Sequence, residues 1–243
     1  MLEINKLNVN IDWKKILNNI NLKFKKWENY CILGQNGSGK SSLALTIMWH
    51  PKYKVESWIM SVISTNAEKS LNELSPDKRA NLWIFLAFQN IPEIEWVKLF
   101  EFLRNIYNTN TWENLTFLKF KELIIPLVEE VWLDREFLRR DLNVWFSGGE
   151  RRKVEILQIK LLKPQYIFLD EIDSWLDIDA FKSIAKMIEE LDDENNCFIF
   201  ITHHFEILKN IDIDEVIILK SWEIKQKWDK KLVEKIKKEW FKD

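Results

Sequence analysis

The chain has 243 residues, of which 47% are hydrophobic and 30% charged, with a formal net charge of −2. This is an ordinary globular composition, long enough for one large domain or two small ones. The near-neutral charge argues against a nucleic-acid partner or attraction to an anionic membrane. No apolar run reaches the length of a membrane span, and the first residues lack the basic-then-apolar pattern of a leader, so the expectation is a cytoplasmic protein without direct membrane insertion.

Residues 2–33 alternate apolar and polar positions (Leu2, Ile4, Leu7, Val9, Ile11, then Ile16, Leu17, Ile20, Leu22, Phe24) and predict short antiparallel strands. They lead into Asn29-Tyr30-Cys31-Ile32-Leu33, a short apolar run that suits a buried strand. Directly after it stands Gly34-Gln35-Asn36-Gly37-Ser38-Gly39-Lys40-Ser41, which fits the phosphate-binding template G-x-x-x-x-G-K-[ST]. An apolar helix, beginning at Ser42, follows. Strand, glycine loop, helix is the context the template requires. The glycines let backbone N–H groups turn toward phosphate oxygens, and the helix N-terminus adds its positive end. Lys40 is expected on the β- and γ-phosphates and the Ser41 hydroxyl on Mg²⁺.

Strand-like pieces follow over 53–64. Ser75 and Pro76 mark a helix start as N-cap and first helical residue. Ile84-Phe85-Leu86-Ala87-Phe88 is another apolar strand, ending at Gln89. From 97 to 142 apolar residues recur mostly at helical spacing, predicting an all-helical insert. A long helix is expected from Ser147 to about Leu162. Tyr166-Ile167-Phe168-Leu169 is an apolar strand ending in Asp170-Glu171, a helix covers 181–191, and Cys197-Phe198-Ile199-Phe200-Ile201 is a strand ending at Thr202-His203-His204. A hairpin around Ser221-Trp222 and a basic amphipathic helix over 230–238 complete the chain. The two cysteines, Cys31 and Cys197, lie in strand-like runs without metal-ligand spacing and read as buried free thiols.

Strands alternating with helices predict a largely parallel α/β core, whose site lies at the C-terminal ends of the strands. The glycine loop, Gln89, Asp170-Glu171 and His203 all follow such strands. A carboxylate there suits Mg²⁺ coordination (Asp170), Glu171 could polarise an attacking water, and His203 could contact the γ-phosphate.

Phe146-Ser147-Gly148-Gly149-Glu150 resembles the LSGGQ signature of ABC-type ATPases, with Phe for Leu and Glu for Gln. The family's other elements stand in its order: the phosphate loop Gly34 to Ser42, the Q-loop residue Gln89, the signature, a Walker B strand ending at Asp170, Glu171 as catalytic glutamate, a D-loop at Ser174-Trp175-Leu176-Asp177, and a switch histidine, His203. The resemblance covers the whole chain. It implies a RecA-like parallel core with an N-terminal antiparallel β subdomain (1–90 and 160–243) and a helical subdomain carrying the signature (91–159). It implies ATP and Mg²⁺ as ligands, Ser41, Gln89 and Asp170 at the metal, and Glu171 and His203 in catalysis. It also implies a transient ATP-dependent homodimer in which Ser147, Gly148, Gly149, Glu150 and Asp177 complete the nucleotide site of the other copy. The aromatic that usually stacks on adenine is missing, with Ile11 in its place. Within the family, Leu74 to Ala80, Ala87-Phe88-Gln89, Pro92-Glu93-Ile94, Leu142-Asn143-Val144 and Ile156-Leu157-Gln158 resemble the ATPases of the Suf iron–sulfur cluster assembly machinery. The partners implied are SufB/SufD-like scaffold proteins. A subunit energising a membrane transporter is the alternative.

Glycine numbers only 5 while tryptophan numbers 13; ordinary usage predicts about 17 glycines. Trp27, Trp49, Trp145 and Trp175 stand where the family carries small residues, commonly glycine, and Ser221-Trp222 stands at a tight hairpin where Ser-Gly would supply the positive φ the turn needs. Tryptophan in place of glycine is what UGA codons give when a cell that reads UGA as glycine is translated with UGA as tryptophan.

Overall fold

The computed structural model describes residues 1–63, 68–72, 74–172, 178–204 and 207–240. By contact the chain divides into two units. One comprises Met1–Gln89, Gln165–Asp173 and Asp192–Asp243; the other comprises Asn90–Pro164 and Ser174–Leu191.

The first unit holds two sheets. In the antiparallel one, β1 (Leu2–Ile11), β2 (Lys14–Phe24), β4 (Lys54–Ile63) and β5 (Glu68–Ser70) lie in the order β2-β1-β4-β5. The alternation read from residues 2–24 is realised: Leu2, Ile4, Leu7, Val9, Leu17, Ile20, Leu22 and Phe24 all turn into the core. The second sheet contains β3 (Tyr30–Leu33), β6 (Ile84–Ala87), β9 (Tyr166–Asp170), β10 (Cys197–Thr202), β11 (Glu215–Lys220) and β12 (Glu223–Trp228), in the order β12-β11-β3-β10-β9-β6. β3 pairs in parallel with β10 and β11, β9 in parallel with β10 and β6, and only β12 runs antiparallel, at an edge. β3, β9 and β10 are buried at every residue. Continuous apolar runs, rather than alternation, are what strands covered on both faces require.

α1 (Lys40–Ile47) packs on this sheet, and Phe24 meets Tyr30 and Phe168 edge-to-face with ring centroids 5.0 and 5.7 Å away. α2 (Pro76–Ala80) begins after Ser75 with Pro76 in its first turn. α7 (Ile207–Asn210), too short to leave a periodic signal, and α8 (Lys230–Trp240) complete the unit.

The second unit is mainly helical: α3 (Leu99–Thr111), α4 (Phe117–Glu130), a 3₁₀ turn (Arg135–Arg139), α5 (Gly148–Leu162) and α6 (Ile178–Glu189). The expectation of an all-helical insert needs one correction. β7 (Ile94–Lys98) and β8 (Asp141–Leu142) form an antiparallel ladder that closes the two ends of the α3–α4 segment. β8 is two residues long and β7 is mostly exposed, so neither carries a hydrophobic period. Among the described residues no helix is long and apolar enough to cross a membrane.

Candidate functional site

Five of the predicted site groups lie in the first unit, at the C-terminal ends of neighbouring strands. Leu33, Thr202, Asp170 and Ala87 end or nearly end β3, β10, β9 and β6, and the registers Thr202↔Leu33, Ile201↔Asp170 and Ala87↔Leu169 bring those ends level. Side chains distant in sequence are thereby fixed on one sheet edge by backbone hydrogen bonds.

The glycine loop joins β3 to α1. Gly37 and Gly39 have φ of 78° and 105°. Gly34 is required for a different reason: a Cβ there would stand 2.2 Å from the Leu219 carbonyl oxygen. Lys40 is buried, and its Nζ donates to the carbonyls of Gly34 and Gln35 at 2.8 and 3.2 Å, arching over the loop. The Ser38 hydroxyl is buried with no hydrogen-bond partner. A buried polar group of this kind calls for a ligand to satisfy it. With the loop amides and the Lys40 ammonium, it suits a polyphosphate. Beside the loop a cavity of about 410 Å³ is lined by Gly34, Gln35, Asn36 and His203 among others.

Ser41 Oγ donates to Asp170 Oδ1 at 3.0 Å, so the hydroxyl and the carboxylate read from separate motifs share one spot. These are hard oxygen donors, the chemistry Mg²⁺ selects. Among the described residues no group of three or more His, Cys, Asp and Glu could hold a metal ion unaided.

Glu171 sits between two other predicted residues. Its carboxylate accepts from Gln89 Nε2 at 2.5 Å and lies 3.3 Å from His203 Nδ1. Its backbone N–H donates to the Ile201 carbonyl at 2.8 Å, and its φ is 48°. A non-glycine residue held there carries strain of about 1–3 kcal/mol, a cost that clusters at working sites. The His204 ring lies against that of His203, tilted by 42° with centroids 3.8 Å apart, and its backbone N–H donates to the Thr202 hydroxyl at 3.0 Å, which steadies the turn.

The signature lies in the second unit, at the head of α5. Ser147 is the N-cap: its hydroxyl accepts from Glu150 N–H at 3.3 Å while the Glu150 carboxylate accepts from Ser147 N–H at 2.7 Å. Ser147 and Gly148 are exposed and Gly149 half-buried, so this helix end is open to a partner. The approach to it is braced. Arg140 donates to the carbonyls of Val144 and Trp145 at 3.2 and 3.0 Å, and its guanidinium lies 4.7 and 4.6 Å from the rings of Phe137 and Phe146. Arg151 donates to the Phe146 carbonyl at 2.9 Å. The D-loop with Asp177 lies outside the described residues.

A residue that sequence reasoning did not single out for a role is Arg79. It is fully buried, donating to the carbonyls of Leu74, Leu71 and Ile47 at 2.8, 2.7 and 2.6 Å, and so fastens the C-terminal end of α1, the helix whose other end carries the phosphate loop. An arginine in the first helical turn after Ser75-Pro76 looks solvent-facing by pattern; only the tertiary fold buries it. A larger cavity, about 630 Å³, lies within the second unit among residues such as Phe100, Phe117, Lys121 and Arg139, and contains none of the predicted site residues.

A family model described as ABC transporter matches residues 17–174. The chain is 38% identical over 246 residues to the probable ATP-dependent transporter ycf16 of Cyanidium caldarium, covering 100% of this chain and 95% of that one. It is 38% identical over 247 residues to the iron–sulfur cluster assembly protein SufC of Plasmodium berghei (strain Anka), covering 99% of this chain and 67% of that one. Among solved structures it shares its fold with the dimeric structure of MJ0796, a bacterial ABC transporter cassette, at a TM-score of 0.79 and 19% identity over 94% of this chain and 98% of the other.

Proposed function

The chain belongs to the ABC transporter family, and from that premise we propose that it is the ATP-hydrolysing subunit of an iron–sulfur cluster assembly machine, driving conformational change in SufB/SufD-like scaffold proteins. The ATPase itself is common to the family. The observation that carries the catalytic reading is the convergence of Lys40, the Ser41–Asp170 pair and the Gln89–Glu171–His203 set on one edge of one sheet. The assembly role is supported by likeness over nearly the whole chain to a relative named SufC.

In this reading the polyphosphate lies along Gly34 to Ser42. Loop amides, the Ser38 hydroxyl and the N-terminus of α1 hold its oxygens, and Lys40 turns its ammonium from the loop carbonyls to the β- and γ-phosphates. Ser41 and Asp170, with Gln89, would hold Mg²⁺, which when bound neutralises charge on the β- and γ-phosphates. Glu171 accepts a proton from the attacking water, Gln89 positions its carboxylate, and His203 donates to the γ-phosphate. A second copy supplies Ser147 to Glu150 at the head of its α5, so hydrolysis requires a transient two-fold pairing. The solved MJ0796 cassette is described as dimeric, which supports that step.

The experiment is recovery of the native complex. A β-helical scaffold protein co-purifying with the chain, and ATPase stimulation on adding it back, are expected. A multi-span permease in its place overturns the assembly role in favour of a transporter subunit. That second reading draws on the likeness to a relative named a probable ATP-dependent transporter.

A further inference from the structure

Among the described residues nine tryptophans have positive φ: Trp13, Trp27, Trp49, Trp83, Trp96, Trp112, Trp132, Trp145 and Trp222, at 50° to 68°. A bulky side chain in that region is a true outlier, because its Cβ crowds the carbonyl oxygen. One such residue invites a functional reading. Nine of one type invite a reading about the type.

Four of the nine sit in backbone motifs whose residue demands are known independently. Ile11 pairs with Lys14 and Lys220 with Glu223, so Asp12-Trp13 and Ser221-Trp222 are two-residue hairpin loops. Both residues of each loop have positive φ: 44° and 67° in the first, 52° and 68° in the second. That is the type I′ turn, for which Asp-Gly and Asn-Gly are the preferred pairs. Trp49 and Trp132 follow the C-caps of α1 and α4. Trp49 N–H bonds the Thr46 carbonyl while His50 N–H bonds that of Leu45; Trp132 N–H bonds Glu129 while Leu133 N–H bonds Val128. Those paired bonds define the Schellman helix end, whose left-handed position is usually glycine. The indoles do not account for the conformations either: seven of the nine are 36% to 95% exposed, Trp13 the most.

We infer that these nine positions are glycine in the protein its own cell makes, encoded by UGA and decoded by a glycine tRNA. UGA is one base from the tryptophan codon UGG and one from the glycine codon GGA, so a single anticodon change in a glycine tRNA suffices. Reading UGA as tryptophan then writes Trp at each site. The low glycine count of the chain has the same origin. One functional corollary concerns the nucleotide site. Trp222 Nε1 donates to the Gly37 carbonyl at 3.3 Å, with Lys14 Nζ 5.6 Å from the ring; glycine there leaves that face of the phosphate loop uncovered. A second is that the exposed indoles at 13, 96, 112 and 145 are not a docking surface.

Two measurements test this. The first reads the codons of the gene and sequences peptides of the native protein by mass spectrometry. UGA codons with glycine in the peptides are expected; UGG codons, or tryptophan in the peptides, overturn the inference. The second uses the recombinant full-length chain carrying tryptophan as written, and compares Trp13→Gly with Trp13→Ala, and likewise at Trp132. Both substitutions remove the indole, but only glycine removes the Cβ. The glycine variants are expected to raise the folding equilibrium constant by about five-fold or more over the alanine variants. Equal stability of the two would mean that the backbone at these sites is not left-handed, and would refute the structural basis of the inference.

Discussion

Replacing Arg79 by Met is the most demanding test of how the phosphate loop is supported. Methionine keeps the aliphatic stem and deletes the guanidinium, leaving the carbonyls of Leu74, Leu71 and Ile47 without that donor. Hydrogen bonds from a charged group contribute about 1.5–3 kcal/mol each, and a buried carbonyl left unpaired costs about 1–3 kcal/mol. The Leu71 carbonyl keeps the Leu74 N–H at 3.2 Å, so two carbonyls left unpaired and one charge-assisted bond lost would sum to roughly 3.5–9 kcal/mol; not having to desolvate a cation offsets part of it. A net loss of about 3–5 kcal/mol is expected, a large share of the roughly 5–15 kcal/mol that holds a domain together. With a slope of about 2–3 kcal/mol per M, the urea midpoint should fall by about 1–2.5 M. Amides of α1 should exchange faster and ATP affinity should drop, because Ile47 is at the far end of the helix that begins at Lys40. The acceptors are main-chain groups, so the expectation does not depend on the indole of Trp49, which lies 4.7 Å from the guanidinium. A midpoint shift below about 0.3 M, with α1 exchange unchanged, would refute the argument and show that other donors satisfy these carbonyls.

Other perturbations address the chemistry. Lys40→Ala should weaken ATP binding by two orders of magnitude or more, about 3 kcal/mol; calorimetry giving the parent affinity would remove the loop from the site. Glu171→Gln should bind ATP normally yet turn over at least ~100-fold more slowly, and with ATP it should sediment as a dimer; parent-rate hydrolysis would mean that another group acts on the water. Ser147→Arg should abolish the dependence of specific activity on protein concentration while leaving nucleotide binding intact, and a fully active monomer would defeat the two-copy site. Cys31 and Cys197 are both fully buried, and burial raises the Cys197 thiol pKa. Maleimide labelling of the native protein should therefore be slow at both and rapid only after denaturation.

What could be read from the sequence was whatever a short window carries. The buried strands β3, β9 and β10 announce themselves because both faces are covered and their runs are unbroken. The head of α5 was legible because its five-residue signature is local, although the reciprocal Ser147–Glu150 cap emerged only in the structure. Order along the chain pointed to Gln89, Glu171 and His203 as one site, but not to the carboxylate lying between the amide and the imidazole, since those contacts span 82 and 32 residues. Arg79 and the β7–β8 ladder were illegible for the same reason: each is created by partners far away in the chain. The tryptophans stood out in the sequence by number and by position at glycine-like turns; the left-handed backbone at each could be seen only in the structure.

The capping box at the head of α5 has a consequence for how long two copies stay together. Glu150 folds back onto Ser147 N–H and so keeps a formal negative charge on the helix end that the mechanism presents to a γ-phosphate. A glutamine could make the same reciprocal bond without the charge. The cap acceptor on Ser147 leaves its O–H proton free to donate to an anion, so attraction and repulsion act within one turn of helix. In the proposed pairing the carboxylate should shorten the lifetime of the closed pair relative to a glutamine at 150. Most charge-driven associations loosen as ionic strength rises; this one should hold longer, because added salt screens the carboxylate from the phosphate.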